Sequence, residues 1–140
     1  MQRRLLEDAQ LSVSTPLPAS AATVTTPGLD LGQNTTGDFA APVDFLATAP
    51  AVTTGMLGDA ATLKWSVVTG ATVDVNGVIQ SATVLYDNIM IQTGAGGAGA
   101  QGQTKRFALP TDVQRYVGLR GAKSAAGDAS SVNATLKMLF

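Results

Sequence analysis

Apolar and polar positions alternate with a period of two along much of this chain. At the C-terminus Val132, Ala134, Leu136, Met138 and Phe140 share one parity, while Asn133, Thr135 and Lys137 take the other. Successive side chains of a strand point to opposite faces, so this pattern predicts a half-buried strand. Leu63, Trp65 and Val67 alternate with Thr62, Lys64 and Ser66, which predicts a second strand and places the only tryptophan in the core. Leu11 and Val13 alternate with Ser12 and Ser14 in a short strand near the N-terminus. Further strands are expected at Thr23–Thr26, Val43–Thr48, Val78–Tyr86, Ile89–Thr93, Lys105–Leu109 and Tyr116–Arg120. Glu occurs once and no window carries an apolar face at helical spacing, so helix is confined to a turn or two near Thr111–Gln114, after Pro110.

Turn chemistry separates these runs. Asn76-Gly77 lies between two β-branched stretches and predicts a type I′ hairpin, because both residues tolerate positive φ. Asp87-Asn88 predicts a weaker turn between two apolar runs. Gly94 through Gly102 is the one low-complexity stretch. It nominally matches GxGxxG, yet the following residues continue as a strand where a dinucleotide site needs a helix, so a surface hairpin loop is expected, mobile or tightly apposed. Eight or nine short strands with many loops predict an all-β fold: a single-domain antiparallel β-sandwich of jelly-roll type over 11–140, with residues 1–10 as an extended N-terminal arm.

Composition narrows the chemistry. The 140 residues suffice for one core, and 45% hydrophobic against 14% charged residues excludes the disordered class. Cysteine and histidine are absent, which removes disulfides, thiolate or imidazole metal sites and every catalytic device built on either residue. The ten acids fall mostly in turn contexts, and no two of them stand out as a catalytic pair. No cofactor is implied. The start of the chain lacks the apolar stretch of a signal peptide, and no run approaches the ~20 apolar residues of a spanning helix, so no membrane is expected as a partner. Charge is unevenly distributed: residues 5 to 100 hold eight acids and one base, whereas residues 101 to 140 hold six bases and two acids. Such asymmetry suits docking on a complementary protein surface, unless the fold interleaves the charges. Exposed aromatics to stack bases are few, with Tyr116 amid the basic residues, which argues against a nucleic-acid partner.

Several stretches carry a resemblance to a known family. Asp8-Ala-Gln-Leu-Ser-Val-Ser14, Gly28-Leu-Asp-Leu-Gly32, Arg106-Phe-Ala-Leu-Pro110, Gln114-Arg-Tyr-Val-Gly-Leu119 and Ala134-Thr-Leu-Lys-Met-Leu-Phe140 resemble the capsid cement, or decoration, proteins of short-tailed bacteriophages, of the Bordetella phage type. Residues from about 33 to 58 match nothing in that family. The resemblance implies a jelly-roll subunit, dimeric for preference, that is made in the host cytoplasm and sits on the outer capsid surface of the virion. There it would bind the major capsid protein and tie neighbouring subunits together, as a structural protein and not an enzyme. Under that reading Arg3, Arg4, Leu5 and Leu6 of the arm and the basic positions Lys105, Arg106, Arg115, Arg120 and Lys123 are the expected contacts with an acidic shell surface. The alternative is a carbohydrate-binding, lectin-like jelly roll, which would display clustered exposed aromatics, although aromatics make up only 5% of the chain.

Overall fold

The computed structural model of the chain describes residues 7–32 and 44–139, with the backbone alone at 7–11. Its strands are β1 (Glu7–Pro16), β2 (Thr23–Thr25), β3 (Leu29–Asp30), β4 (Asp44–Ala49), β5 (Thr62–Gly70), β6 (Thr72–Val73), β7 (Ile79–Gln80), β8 (Thr83–Thr93), β9 (Gln103–Ala108), β10 (Tyr116–Lys123) and β11 (Asn133–Leu139). No helix occurs among the described residues, and Thr111-Asp112 forms only a turn.

The strands form two antiparallel sheets, ordered β1-β11-β4-β9 and β2-β10-β5-β8, with β3 also on the β2 side of β10. The pairing is nested. Taking β2 and β3 as one interrupted strand, β1 pairs β11, β2/β3 pair β10, β4 pairs β9 and β5 pairs β8. The chain therefore behaves as one long antiparallel ribbon whose successive segments alternate between the two sheets. β6 and β7 form a separate two-stranded hairpin at the ribbon's far end, between β5 and β8.

Strand parity builds the core. Phe45, Ala47 and Ala49 of β4 and Ala134, Leu136 and Met138 of β11 face Leu63, Trp65 and Val67 of β5, Met90 of β8 and Val117 and Leu119 of β10, in one buried cluster. Size is balanced within it: Gly121 lies opposite Trp65 in register, and a Cβ placed there would sit 2.5 Å from Cζ3 of the indole. The floor under the ring has to be glycine. At the β8/β9 side one aromatic contact ties the sheets, Tyr86 of β8 edge-on to Phe107 of β9 at 5.8 Å, and Phe107 in turn stacks on its neighbour within the sheet, Phe45, at 5.7 Å. The Tyr86 hydroxyl donates to the Ala108 carbonyl at 2.8 Å, which satisfies its polar end.

Several local expectations are corrected. The Asn76-Gly77 turn is not type I′, since among its residues only Gly77 has positive φ. Asp74 explains the difference: its Oδ1 accepts the backbone amides of Asn76 and Val78, which organises a wider loop between β6 and β7. Asp87-Asn88 is no turn at all but a β-bulge inside the continuous β8, with Asn88 at φ 50° and the register against β5 shifting beside it. Val78–Tyr86 divides into β7 and the start of β8, because Ser81 (φ 50°) turns the chain between them. The glycine stretch is an arch between sheets, not a hairpin loop, since β8 and β9 belong to different sheets. It is tightly apposed to the body: Cβ atoms at Gly94 and Gly99 would fall 2.1 Å from the Gly58 carbonyl oxygen and 2.0 Å from that of Val52. Backbone occupies the space that side chains would need.

Candidate interaction surface

The two faces of the β2-β10-β5-β8 sheet are both covered over part of their area. The inner one forms the core, and the β6–β7 hairpin folds back over the outer one. Ile79 of that hairpin is 6% exposed and fits against Gly70 and Gly118, where added Cβ atoms would lie 2.3 and 3.1 Å from it. Val68, on the same outer face, is fully buried. A backbone hydrogen bond from Gly28 to the Gly77 carbonyl (2.8 Å) pins the far side of the hairpin. Two small residues in adjacent strands thus create a socket that one isoleucine fills.

Beyond the socket the loop between β6 and β7 projects into solvent. Val75 there is fully exposed, and Val78 is 39% exposed. The same end of the molecule carries Arg115 and Tyr116: Gly28 is wedged between Val73 of β6 and Tyr116 of β10. Arg115 makes a two-point ion pair with Asp30, Nε to Oδ1 at 3.0 Å and Nη2 to Oδ2 at 2.9 Å, and its guanidinium lies 5.3 Å from the centre of the Tyr116 ring. The hydrogen bond from Arg115 holds the Asp30 carboxyl below its ordinary range, and the Gly32 amide adds to the effect.

The basic positions expected to act together are dispersed. Arg115 flanks the first residue of β10 and Lys123 is the last, so they stand at opposite ends of a strand about 25 Å long. Lys123 is 5% exposed and donates to the Gly127 carbonyl, and burial lowers its pKa. Arg106 pairs with Asp44 at 2.7 Å on the outer face of the other sheet. Lys105 is exposed on edge strand β9, opposite Ala47, and Arg120 is half-buried opposite Ser66. Arg3, Arg4, Leu5 and Leu6 lie outside the described residues. Folding therefore interleaves the acidic and basic segments, with Asp30 and Asp44 from one meeting Arg115 and Arg106 from the other.

Carboxylates are mostly committed to local structure. Asp59 accepts the Gly97 amide, Asp74 the two loop amides, Asp87 the Ser66 hydroxyl and Asp128 both polar groups of Ser130. The Ser130 bonds lower the Asp128 pKa. Among the described residues no cluster of three or more acids is placed to hold a metal ion. Two features were hidden from the sequence: the glycine socket for Ile79, and Gln92, a buried amide that links three segments. Gln92 Oε1 accepts the Trp65 indole N–H at 3.0 Å, and its Nε2 donates to the carbonyls of Pro50 (2.8 Å) and Gln101 (3.0 Å). Compared with known proteins, the chain matches no family model and no curated sequence.

Proposed function

We propose that this chain is a virion structural protein: a capsid cement subunit that binds the outside of an icosahedral shell and stabilises the contacts between its major capsid proteins. The observation that carries this reading is the use made of the polar side chains. Six described carboxylates accept bonds from turns, hydroxyls or arginines, and the buried side-chain amide of Gln92 is engaged by Trp65, Pro50 and Gln101. With histidine and cysteine absent, the protein offers adhesion and not bond-making. The nested pairing of β1 with β11, β2/β3 with β10, β4 with β9 and β5 with β8 is the arrangement of a wound double ribbon, which supports the jelly-roll form that the resemblance implies.

A cement protein acts by linkage. Because it binds the assembled shell and not the dispersed subunits, its binding free energy adds to shell stability at every symmetric site. Modest individual contacts then suffice, and a rigid body that loses little entropy on docking makes them more effective. The lectin-like alternative fits less well. Trp65 is fully buried, Tyr86 and Phe107 are half-buried in mutual contact, and Tyr116 lies against Arg115, so among the described residues no aromatic cluster is displayed for a sugar face.

The test is to sediment the purified chain with undecorated expanded shells of a short-tailed phage of the Bordetella type. Saturable attachment to intact shells is expected; the absence of saturable attachment overturns the proposal. Arg115→Glu is expected to weaken attachment, more strongly at low salt than at high salt.

A further inference from the structure

Asn76 presents an exposed carboxamide that makes no hydrogen bond among the described residues, and a glycine follows it. Glycine has no Cβ to screen its own nitrogen, so the Gly77 nitrogen is well able to reach the carbonyl carbon of the preceding side chain. The other described asparagines are placed differently. Asn88 and Asn133 lie within β8 and β11, and Ile89 and Ala134 follow them, each with a Cβ beside the nitrogen that would have to attack. Among the described residues, only Asn76 combines an exposed loop with a glycine successor.

The loop's own hydrogen bonds oppose that attack. The Gly77 amide donates to the Asp74 carbonyl at 3.0 Å, and Asp74 Oδ1 accepts the amides of Asn76 and Val78 at 2.8 and 3.0 Å. Gly28 donates to the Gly77 carbonyl from outside the hairpin, and Ile79 anchors the base in the Gly70/Gly118 socket. These contacts fix the main chain on both sides of the Asn76–Gly77 peptide, which keeps the Gly77 nitrogen from turning towards Asn76 Cγ. Reaction therefore proceeds from the locally opened loop, and its rate follows the free energy of that opening.

We infer that Asn76 is a site of spontaneous deamidation, timed by the opening of the Asp74-braced loop. The Gly77 nitrogen gives its proton to solvent base and bonds to Asn76 Cγ. The Cγ–Nδ2 bond breaks, ammonia leaves with a proton taken from water, and a five-membered succinimide closes. Water then opens the ring: cleavage at Cγ–N leaves aspartate, and cleavage between that nitrogen and the main-chain carbonyl carbon leaves isoaspartate. The net exchange is water for ammonia, with no change in oxidation state. Either product sets a new carboxylate two residues from Asp74. Isoaspartate also adds a methylene to the main chain between the two amides that share one Asp74 oxygen, so the brace cannot re-form in its original register and the hairpin loosens with age. The chemistry holds whether or not the chain binds a shell.

The test incubates the full chain in mildly alkaline buffer and follows each asparagine by peptide mapping with mass spectrometry. The same chain in urea and the variants Asp74→Ala and Ile79→Ala run beside it. Asn76 of the folded wild type is expected to convert several-fold more slowly than in urea, while Asn88 and Asn133 keep their amides. Asp74→Ala removes two bracing bonds and is expected to speed conversion by about tenfold. Ile79→Ala leaves the Asp74 bonds in place, frees the base of the hairpin and is expected to act in the same direction; it keeps the test decisive if Asp74→Ala proves unfolded by circular dichroism. Equal rates in the folded wild type and in urea, conversion of Asn88 or Asn133 in step with Asn76, or rates in the folded variants no greater than in the wild type overturn the inference.

Discussion

Trp65 and Gln92 show how much a single polar side chain can organise. The indole brings its N–H into a dry core, where an unpaired donor is costly, and Gln92 answers it with an amide whose own donors reach Pro50 and Gln101. Gln92→Leu fills a similar volume but leaves one N–H and two carbonyls without this partner, and is expected to destabilise by about 3 kcal/mol in urea unfolding. Trp65 was legible in the sequence, because its strand parity is apolar on both sides. Gln92 was not: the apolar Ile89 and Ile91 suggest the opposite parity, whereas the register against β5 sets Gln92 opposite core Leu63 and on the same face as buried Met90, with Ile91 exposed. The Asp30–Arg115 pair gives a pH signature. Its carboxyl is held low in the folded state, so the stabilisation is present above the unfolded carboxylate pKa and lost as pH falls through the folded one. Both side chains are over 40% exposed, which limits the effect to roughly 1 kcal/mol or less at neutral pH. Asp30→Asn should show that loss at pH 7, and the two proteins should converge in stability once the pH lies below the folded pKa of Asp30. Lys123 works in the other direction. Its lowered pKa means the unfolded chain binds the proton more tightly, so stability rises with pH as the group titrates, and Lys123→Met should remove that rise in an alkaline series of unfolding curves.

At the scale of elements, the sheet margins are blunted. Edge strand β8 carries register breaks at two places, one of them the Asn88 bulge, and Gln103 Nε2 donates to its Ile91 carbonyl. Edge strand β9 places Lys105 opposite core-facing Ala47, β1 ends in Pro16 after a register slip, and β2 and β3 are three and two residues long. These devices discourage edge-to-edge pairing and direct association to faces and ends. The β6–β7 hairpin is the added element, and its hold on the body is concentrated in Ile79. Ile79→Ala is expected to cost about 2–4 kcal/mol and to raise amide exchange selectively in residues 72–80, as measured by hydrogen exchange. Sequence alternation identified the long strands well, since β5, β10 and β11 alternate over at least part of their length. It misjudged the turns because side chains from elsewhere decide them: Asp74 widens the loop at Asn76-Gly77, and Ser66 bonds both Asp87 and the Asn88 amide, keeping the chain in the sheet where a turn was expected. β3 was missed because two residues carry no period.

For the whole molecule, the sandwich was predictable and the charge surface was not. Separation of acids and bases along the chain suggests a polarised particle, yet nested pairing brings early strands against late ones and so brings Asp30 to Arg115 and Asp44 to Arg106. The same topology that closes the core mixes the charge. The two resulting ion pairs are divided between the sheets, Asp30 of β3 with Arg115 before β10 and Asp44 of β4 with Arg106 of β9. The central proposal is that the protein contributes stability to an assembly. Calorimetry of undecorated expanded shells titrated with the chain tests it most directly. The account predicts that the shell-disruption transition moves to higher temperature and levels off once the sites are filled; a transition that stays in place at saturating protein would contradict it.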